Sequence, residues 1–302
     1  MRRSLSYTVP PQWDGRPVKE FLRRGLGLST RVLVKQKQAD HGLLRNGAPC
    51  RSVDLLFAGD RLELRLPEET AAYQPVEGPL AILWEDQDYL VVDKPPQMPV
   101  HPSPGHDCDS LLNRVAFYYE KTCQSPAFRP LYRLDRDTSG AIAIGKHRVA
   151  ASAARVEKRY YAICQGELSG EGTVDQSIGL APGSKILRRC GEEGQPAVTH
   201  WKALAAAENH TLLELCLETG RTHQIRVHMA SLGHPLAGDD LYGGSREKLS
   251  RQALHCGRLL VSCPPLGTDL SVACPFPPDL VEAFPWTGKF SPQQSAIVSQ
   301  RS

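Results

Sequence analysis

Apolar and polar positions alternate with period two in several short runs along this chain. Leu5, Tyr7 and Val9 alternate with polar neighbours, which predicts a strand over residues 5–11. Val18, Phe21, Leu22 and Leu26 then follow helical spacing, and Gly27 ends that helix. Ser29 or Thr30 is placed to cap a second helix carrying Val32, Leu33 and Lys35-Gln36-Lys37. Leu43-Leu44-Arg45-Asn46-Gly47 reads as a strand closing on an Asn-Gly turn. Arg61–Leu66 alternates strictly between charge and leucine, another strand. Residues 67–79 are polar and carry Pro67, Pro75 and Pro79, so they are expected to link a small α/β unit, residues 1–66, to the rest.

The longer remainder has an α+β pattern. Leu80–Asp86 and Tyr89–Lys94 read as strands, and Pro95-Pro96 forces extended chain after them. Leu111, Leu112, Val115 and Ala116 mark a helix. Ala141–Ile144 is an apolar strand, and a helix is expected over about 147–157. A strand runs from Lys158 to Gly166, and the glycine-rich, basic segment 170–196 is expected to be a loop or flexible hairpin. Strands follow at 197–204 and 211–217, a helix from Thr222 to Gly233, and final strands at 254–261 and 270–273. This second domain spans 80–286. Residues 287–302 have few apolar anchors, and a disordered tail is expected there.

With 41% hydrophobic and 23% charged residues, the composition is that of an ordinary globular protein. No apolar run approaches the ~20 residues that span a bilayer. Met1-Arg2-Arg3-Ser4 leads into no apolar core, so a cytoplasmic protein without a signal peptide is expected, with monomer as the default state. The nine cysteines form no Cys-x-x-Cys pair, which argues for reduced thiols and against a structural zinc site. Net charge is only +3, yet residues 1–40 hold nine Lys or Arg against three acids. That local excess, with Arg23, Arg24, Arg31, Lys35 and Lys37 on the two helices, is a candidate phosphate-binding face. A merely solvated helix face is the plainer alternative.

The candidate chemistry lies in the second domain. Arg133-Leu134-Asp135-Arg136-Asp137-Thr138-Ser139-Gly140 places two acids, two arginines and two hydroxyls just before a buried strand. Two more basic and polar segments, 158–160 and 219–228, also touch the ends of apolar elements. A metal site is disfavoured, because His223 and His228 are poorly spaced for one helix face and no acid accompanies them. Ser139 has no nucleophile-elbow pattern around it, and no Gly-x-Gly-x-x-Gly or Walker pattern exists for a nucleotide cofactor. What survives is a lone carboxylate held by an arginine, whose guanidinium would keep the acid ionised as a nucleophile or base. On spacing alone Asp135 and Asp137 are equal candidates, as are Tyr160 and Tyr161 on their strand. Arg221 and Arg226 could equally be surface residues.

Two resemblances extend this reading. Residues 13–66, with Phe21-Leu22, Leu28-Ser29-Thr30-Arg31, Leu44-Arg45-Asn46-Gly47 and Ala58-Gly59-Asp60-Arg61-Leu62, resemble the small RNA-binding domain of the S-four type. Its two helices present cations to folded RNA. Residues 80–280 resemble the RluA family of pseudouridine synthases. The matching blocks are Asp93-Lys94-Pro95-Pro96 with Val100-His101-Pro102, then Arg133 to Gly140, then Lys158-Arg159-Tyr160, then Gly220 to His228 with Gly233-His234-Pro235 and Gly238-Asp239. The resemblance implies a mixed, largely antiparallel central sheet and an RNA cleft. It implies Asp135 as nucleophile, Tyr160 stacked on the target base and able to assist the last proton removal, and Arg226 paired with Asp135. Leu134 and Ile225 would be packing residues. Arg133, Arg136, Lys158 and Arg221 would hold RNA, and neither a metal nor a cofactor is needed. Structured RNA is the expected partner, with large-subunit ribosomal RNA favoured and transfer RNA open. A catalytically idle RNA-binding protein on the same fold is the rival. Tyr132 stands where the family usually carries His, which leaves the RNA contacts there in question.

Overall fold

The computed structural model describes residues 3–39, 41–67, 73–103, 105–124, 129–293 and 295–300. The N-terminal unit is a four-stranded antiparallel sheet with two helical segments on it. Its strands are β1 (Ser4–Thr8), β2 (Leu43–Arg45), β3 (Ala48–Pro49) and β4 (Arg61–Arg65), in the order β1-β4-β2-β3. Asn46 and Gly47 both have positive φ, 51° and 83°, as a tight two-residue hairpin turn requires. Helix α1 (Val18–Glu20) continues as a wider turn over Phe21–Gly25, and α2 (Thr30–Gln38) is capped by Ser29, whose hydroxyl accepts from the Val32 amide. Val18, Leu22, Leu33, Leu62 and Leu64 close the core beneath.

The second unit is built on one large sheet. Its strands are β5 (Ala81–Glu85), β6 (Tyr89–Lys94), β7 (Ser139–Gly145), β8 (Arg155–Gln165), β9 (Glu171–Asp175), β10 (Ile178–Leu180), β11 (Arg188–Cys190), β12 (Val198–Ala207), β13 (His210–Leu217), β14 (Leu254–Cys263), β15 (Thr268–Ala273) and β16 (Ser295–Gln300). The main path runs β9-β12-β13-β8-β14-β7-β6-β5, with β15 and β16 branching from β14, the two-residue strand Arg129–Pro130 pairing with the end of β7, and β10–β11 set apart as a hairpin. Pairing is antiparallel except where β7 meets β14, at Ser139–His255 and Gly140–Cys256. Helices α3 (Leu111–Lys121), α4 (Arg148–Ala153), α5 (Gln224–Ser231) and α6 (Pro278–Ala283) flank the sheet. Every residue of β7 is buried, and each fully buried Ile contributes about 1.5–3 kcal/mol. That strand is the rigid base on which the preceding acidic turn stands.

Three expectations are corrected. The helix expected to reach residue 157 stops at Ala153, because Arg155, Val156 and Glu157 already alternate outward and inward against β14. Segment 170–196 is more ordered than expected, since it supplies the edge strand β9 and the β10–β11 hairpin. The tail expected to be disordered includes a 3-10 helix over Pro285–Phe290 and strand β16, whose backbone pairs with β15 from Thr268–Gln300 to Ala273–Ser295. Main-chain hydrogen bonding on an open sheet edge orders it, and a count of apolar anchors misses that. Of the expected linker, 68–72 lie outside the described residues, as do 294, 301 and 302 of the tail.

The two units touch. Val149 and Ala153 of α4 pack into the N-terminal core, and Arg3 donates two 3.0 Å hydrogen bonds to the Asp88 carboxylate. Among the described residues no helix is long and apolar enough to cross a membrane.

Candidate active site

The turn from Asp135 to Thr138 stands at the entry to β7 and is fixed from several sides. The Thr138 amide donates to the Asp135 carbonyl at 3.1 Å, closing the turn. The buried Lys94 ammonium donates to the carbonyls of Pro95, Met98 and Arg136 at 2.8, 2.8 and 2.9 Å, which uses all three of its protons. Arg251, bound to Asp279 by two hydrogen bonds of 2.7 and 3.0 Å, gives a further one to the Asp137 carbonyl. The Gln252 amide donates to the Thr138 hydroxyl. A turn so constrained presents its first carboxylate in one place. Burial pulls the Lys94 pKa down to about 7, against the attraction of Asp137 and Asp135.

Gly140 ends the turn. It has a φ of 114°, and a Cβ there would lie 2.4 Å from the Cys256 carbonyl oxygen. Only glycine allows β7 to meet β14 this closely.

Asp135 lines a cleft of about 310 Å³ together with Arg133, Leu134, Lys158, Tyr160, Arg221, His223, Ile225 and Arg226. Asp137 is not part of that lining and pairs instead with the Arg136 guanidinium at 3.0 Å. Of the two acids, Asp135 is the one that lines the cleft. Its side chain is 29% exposed, and Arg226 Nη1 lies 3.8 Å from its Oδ2. Arg226 makes its tighter contact elsewhere: Nε and Nη2 each donate to Asp239 at 2.7 Å. Burial works against the charge on Arg226, but the Asp239 hydrogen bonds and the nearby carboxylates hold its pKa above the ordinary arginine value.

Strand alternation decides which tyrosine faces the cleft, since Lys158 and Tyr160, two residues apart on β8, both line it. The register between β8 and β14 shifts at Arg159/Tyr160, which pair with Arg258 and Cys256 and skip Gly257. Tyr160 faces Asp135, and burial raises its pKa well above the tyrosine range. Tyr161 turns to the opposite face, where its ring meets Phe276 at 5.3 Å and its hydroxyl donates to Glu214.

Loop 219–223 is fixed by Gln224. Its carbonyl oxygen accepts from the Thr219 hydroxyl and the Arg221 amide, and its amide nitrogen donates to Val198 and Thr199. His223 adopts the left-handed conformation, φ 59°, with Nδ1 2.8 Å from the Tyr242 hydroxyl. His228 is buried between the Thr199 hydroxyl and the Gln176 carbonyl. Leu134 and Ile225 are buried, 7% and 3% exposed.

Of the candidate RNA contacts, Arg133, Lys158 and Arg221 line the cleft. Arg136 does not; it is exposed on the outer side of the turn. Arg23, Arg24, Arg31, Lys35 and Lys37 are exposed on the N-terminal helices and do not line the cleft either. Arg24 also pairs with Glu20. Tyr132 donates to the Ala141 carbonyl at 2.7 Å, and the Lys158 ammonium sits 4.8 Å from its ring centroid. Its aromatic face therefore positions a cleft cation.

Ser139 does have a histidine neighbour, with Oγ 3.0 Å from His255 Nδ1. Both are buried, and the far nitrogen of His255 meets the Cys274 carbonyl, not a carboxylate. Burial lowers the His255 pKa to about 4, so this is a neutral structural pair. Among the described residues no three His, Cys, Asp or Glu side chains converge as metal ligands.

Asp239, Lys94, Arg251 and Tyr242 carry much of this architecture, and the motif reading assigned none of them a role. Lys94 and Asp239 stand inside the motif blocks that carry the family resemblance, which is the signal that pointed to them; Arg251 and Tyr242 stand in none.

Comparison with known proteins gives the family. Residues 88–231 match the RNA pseudouridylate synthase family. The chain is 41% identical over 275 residues to an uncharacterized RNA pseudouridine synthase, YjbO, of Bacillus subtilis (strain 168), covering 87% of this chain and 96% of the relative. It is 33% identical to ribosomal large subunit pseudouridine synthase D of Escherichia coli (strain K12), covering 93% of each. Among solved structures, Human RNA Pseudouridylate Synthase Domain Containing 1 superposes with a TM-score of 0.57 at 28% identity, covering 73% of this chain and 92% of that one. The chain belongs to the RNA pseudouridine synthases of the RluA family.

Proposed function

We propose that this enzyme isomerises specific uridines of large-subunit ribosomal RNA to pseudouridine, with Asp135 as the nucleophile. Asp135 attacks the uridine at the sugar or at the base, and the bond between N1 and C1′ breaks. The freed base turns and rejoins through C5, which loses its proton while N1 gains one. The reading is supported above all by one cleft that holds a partly exposed carboxylate, a buried aromatic ring and an arginine anchored from behind. A uridine in folded RNA must be flipped out to reach this carboxylate, at a cost of a few kcal/mol. Stacking on Tyr160 offsets about 1–3 kcal/mol of that. Arg133, Lys158 and Arg221 supply the positive rim that a phosphodiester backbone needs, and Arg136 lies outside it on the same turn. The ribosomal substrate rests on the E. coli relative, whose name specifies the large ribosomal subunit.

Within this reading residues 1–66 form the S-four-like RNA-binding domain and 80–286 the catalytic domain. Arg23, Arg24, Arg31, Lys35 and Lys37 of the first contact RNA beyond the cleft, and their exposure on adjacent helices favours this. The enzyme acts as a cytoplasmic monomer, where ribosomal RNA is made and matured.

The test is tritium release from RNA labelled at C5 of uridine. Wild-type enzyme is expected to release tritium from large-subunit ribosomal RNA, and Asp135→Ala to release none. Equal release by both would remove Asp135 from the mechanism, and preference for transfer RNA would replace the substrate.

A further inference from the structure

The β10–β11 hairpin and the loop after it wall a second cavity beside the catalytic cleft, of about 250 Å³. The two share Arg221. The new cavity also presents Arg188, Glu193 and the half-exposed Leu180. Arg188 is the unusual member. Its Nε is buried and has no hydrogen-bond partner, and among the described residues no carboxylate pairs with its guanidinium. Arg221 gives its Nε to the Pro196 carbonyl at 3.0 Å and likewise pairs with no acid. Glu193 is exposed and pairs with neither arginine. Two guanidiniums line one cavity and, among the described residues, neither is neutralised by an acid, so an incoming anion meets both charges unpaired.

The cavity is also held at a set place relative to the nucleophile. The Arg188 amide donates to the Tyr242 hydroxyl at 3.1 Å, and the same hydroxyl lies 2.8 Å from Nδ1 of His223. His223 lines the catalytic cleft, and the Tyr242 ring carries the Arg226 guanidinium 5.0 Å from its centroid. One tyrosine thus ties the hairpin to the arginine that faces Asp135. Gly179 and Gly194 leave the wall without side chains, and a Cβ on Gly194 would strike the Ile178 backbone at 2.4 Å.

We propose that this cavity receives a nucleotide flanking the flipped uridine, its phosphodiester held between Arg188 and Arg221 and its base lying against Leu180. This site rests on the RNA isomerase reading, since its occupant is placed as the neighbour of the flipped base. It gives the enzyme a second grip on the strand, so that the uridine enters the cleft in one register.

The test uses binding, so that it is independent of turnover. In the Asp135→Ala background, the affinity for transcribed large-subunit ribosomal RNA is measured by filter binding between 50 and 200 mM salt. Arg188→Ala should weaken binding on the order of 10-fold and make the slope of log affinity against log salt shallower by about 0.7–0.9, as loss of one phosphate contact requires. Arg188→Lys keeps a positive charge and should retain the slope with intermediate affinity. In the active enzyme Arg188→Ala should raise KM more than it lowers kcat. Unchanged affinity and slope in Arg188→Ala would overturn the site. So would equal weakening in both variants with the parent slope, which would show that Arg188 only supports the hairpin. Absence of tritium release by wild-type enzyme would instead fail the isomerase reading, and the salt slope would still report on Arg188.

Discussion

Arg226 is held bidentate by Asp239, with both hydrogen bonds at 2.7 Å, and only its third nitrogen faces Asp135, 3.8 Å away. The family resemblance pairs Arg226 with the nucleophile; the tighter pair is with the buried acid behind it. The arrangement has a chemical reason. A nucleophilic carboxylate tightly bound to a guanidinium is poorly placed to attack, whereas one that only faces a fixed positive charge keeps its lone pairs available.

Asp239→Ala should therefore damage stability and activity together. Removing one partner of a buried ion pair costs about 3–5 kcal/mol, and Asp239 is only 1% exposed. The released Arg226 would turn toward Asp135, and misplacement of about 1 Å lowers kcat on the order of 10²-fold. Urea unfolding and tritium release check the two effects. Asp239→Asn, which keeps one acceptor, should fall between wild type and Asp239→Ala in both.

Lys94 makes a pH prediction. It releases its proton near pH 7 in the folded protein, against about 10.4 for an unfolded lysine. Between these values the unfolded chain binds more protons, so this group makes stability rise with pH from about 7 to 10. Lys94→Met should be less stable, because three carbonyls lose their donor, and should lack that rise. The gap between wild type and variant in urea midpoint should widen from pH 7 to 9.5. Parallel curves would show that Lys94 does not titrate there.

The strands and helices that carry the site were legible because their periodicity is strong: Tyr89–Lys94, Leu111–Lys121 and Ala141–Ile144 are all apolar runs bounded by turn residues. The β9–β11 region and the C-terminal strand were not, since both are ordered by main-chain pairing at sheet edges, which leaves little trace in side-chain pattern. In the site, Asp135, Tyr160 and Arg226 came from motif resemblance, and spacing alone left Asp137 and Tyr161 as equal candidates. What separates them is tertiary: the Arg136 ion pair takes Asp137 aside, and the cleft lies on the Tyr160 face of β8, with Tyr161 packed against Phe276 on the other. Asp239 stands in a motif block, but nothing local shows that it holds Arg226, and Arg251 lies far in sequence from the turn it holds.

Tyr160 separates stacking from proton transfer. Burial raises its pKa well above the normal range, so the phenolate is not available near neutral pH. Tyr160→Phe should keep the stack and most of kcat, whereas Tyr160→Ala should lose about 1–3 kcal/mol of base binding, read as a rise in KM. If Tyr160→Phe instead lost as much as Tyr160→Ala, the hydroxyl would be assigned the final proton removal.

The contact between the two units can be tested at Asp88. Its carboxylate takes two hydrogen bonds from Arg3 and lies 2.8 Å from His147 Nε2, so a residue at the start of the N-terminal sheet is fastened to the catalytic unit. Burial alone would raise the Asp88 pKa, but His147 and Arg3 together lower it. Its stabilising effect is therefore present above an unfolded aspartate's value of about 3.9 and lost as pH falls through the lower folded value. Asp88→Asn weakens charged hydrogen bonds worth about 1.5–3 kcal/mol each. Amide hydrogen exchange over Ser4–Thr8 should accelerate in Asp88→Asn at pH 7, while protection over Ser139–Gly145 stays near wild type, because that strand is buried in the catalytic core. Unchanged exchange over Ser4–Thr8 would mean that the Val149 and Ala153 packing alone docks the N-terminal unit.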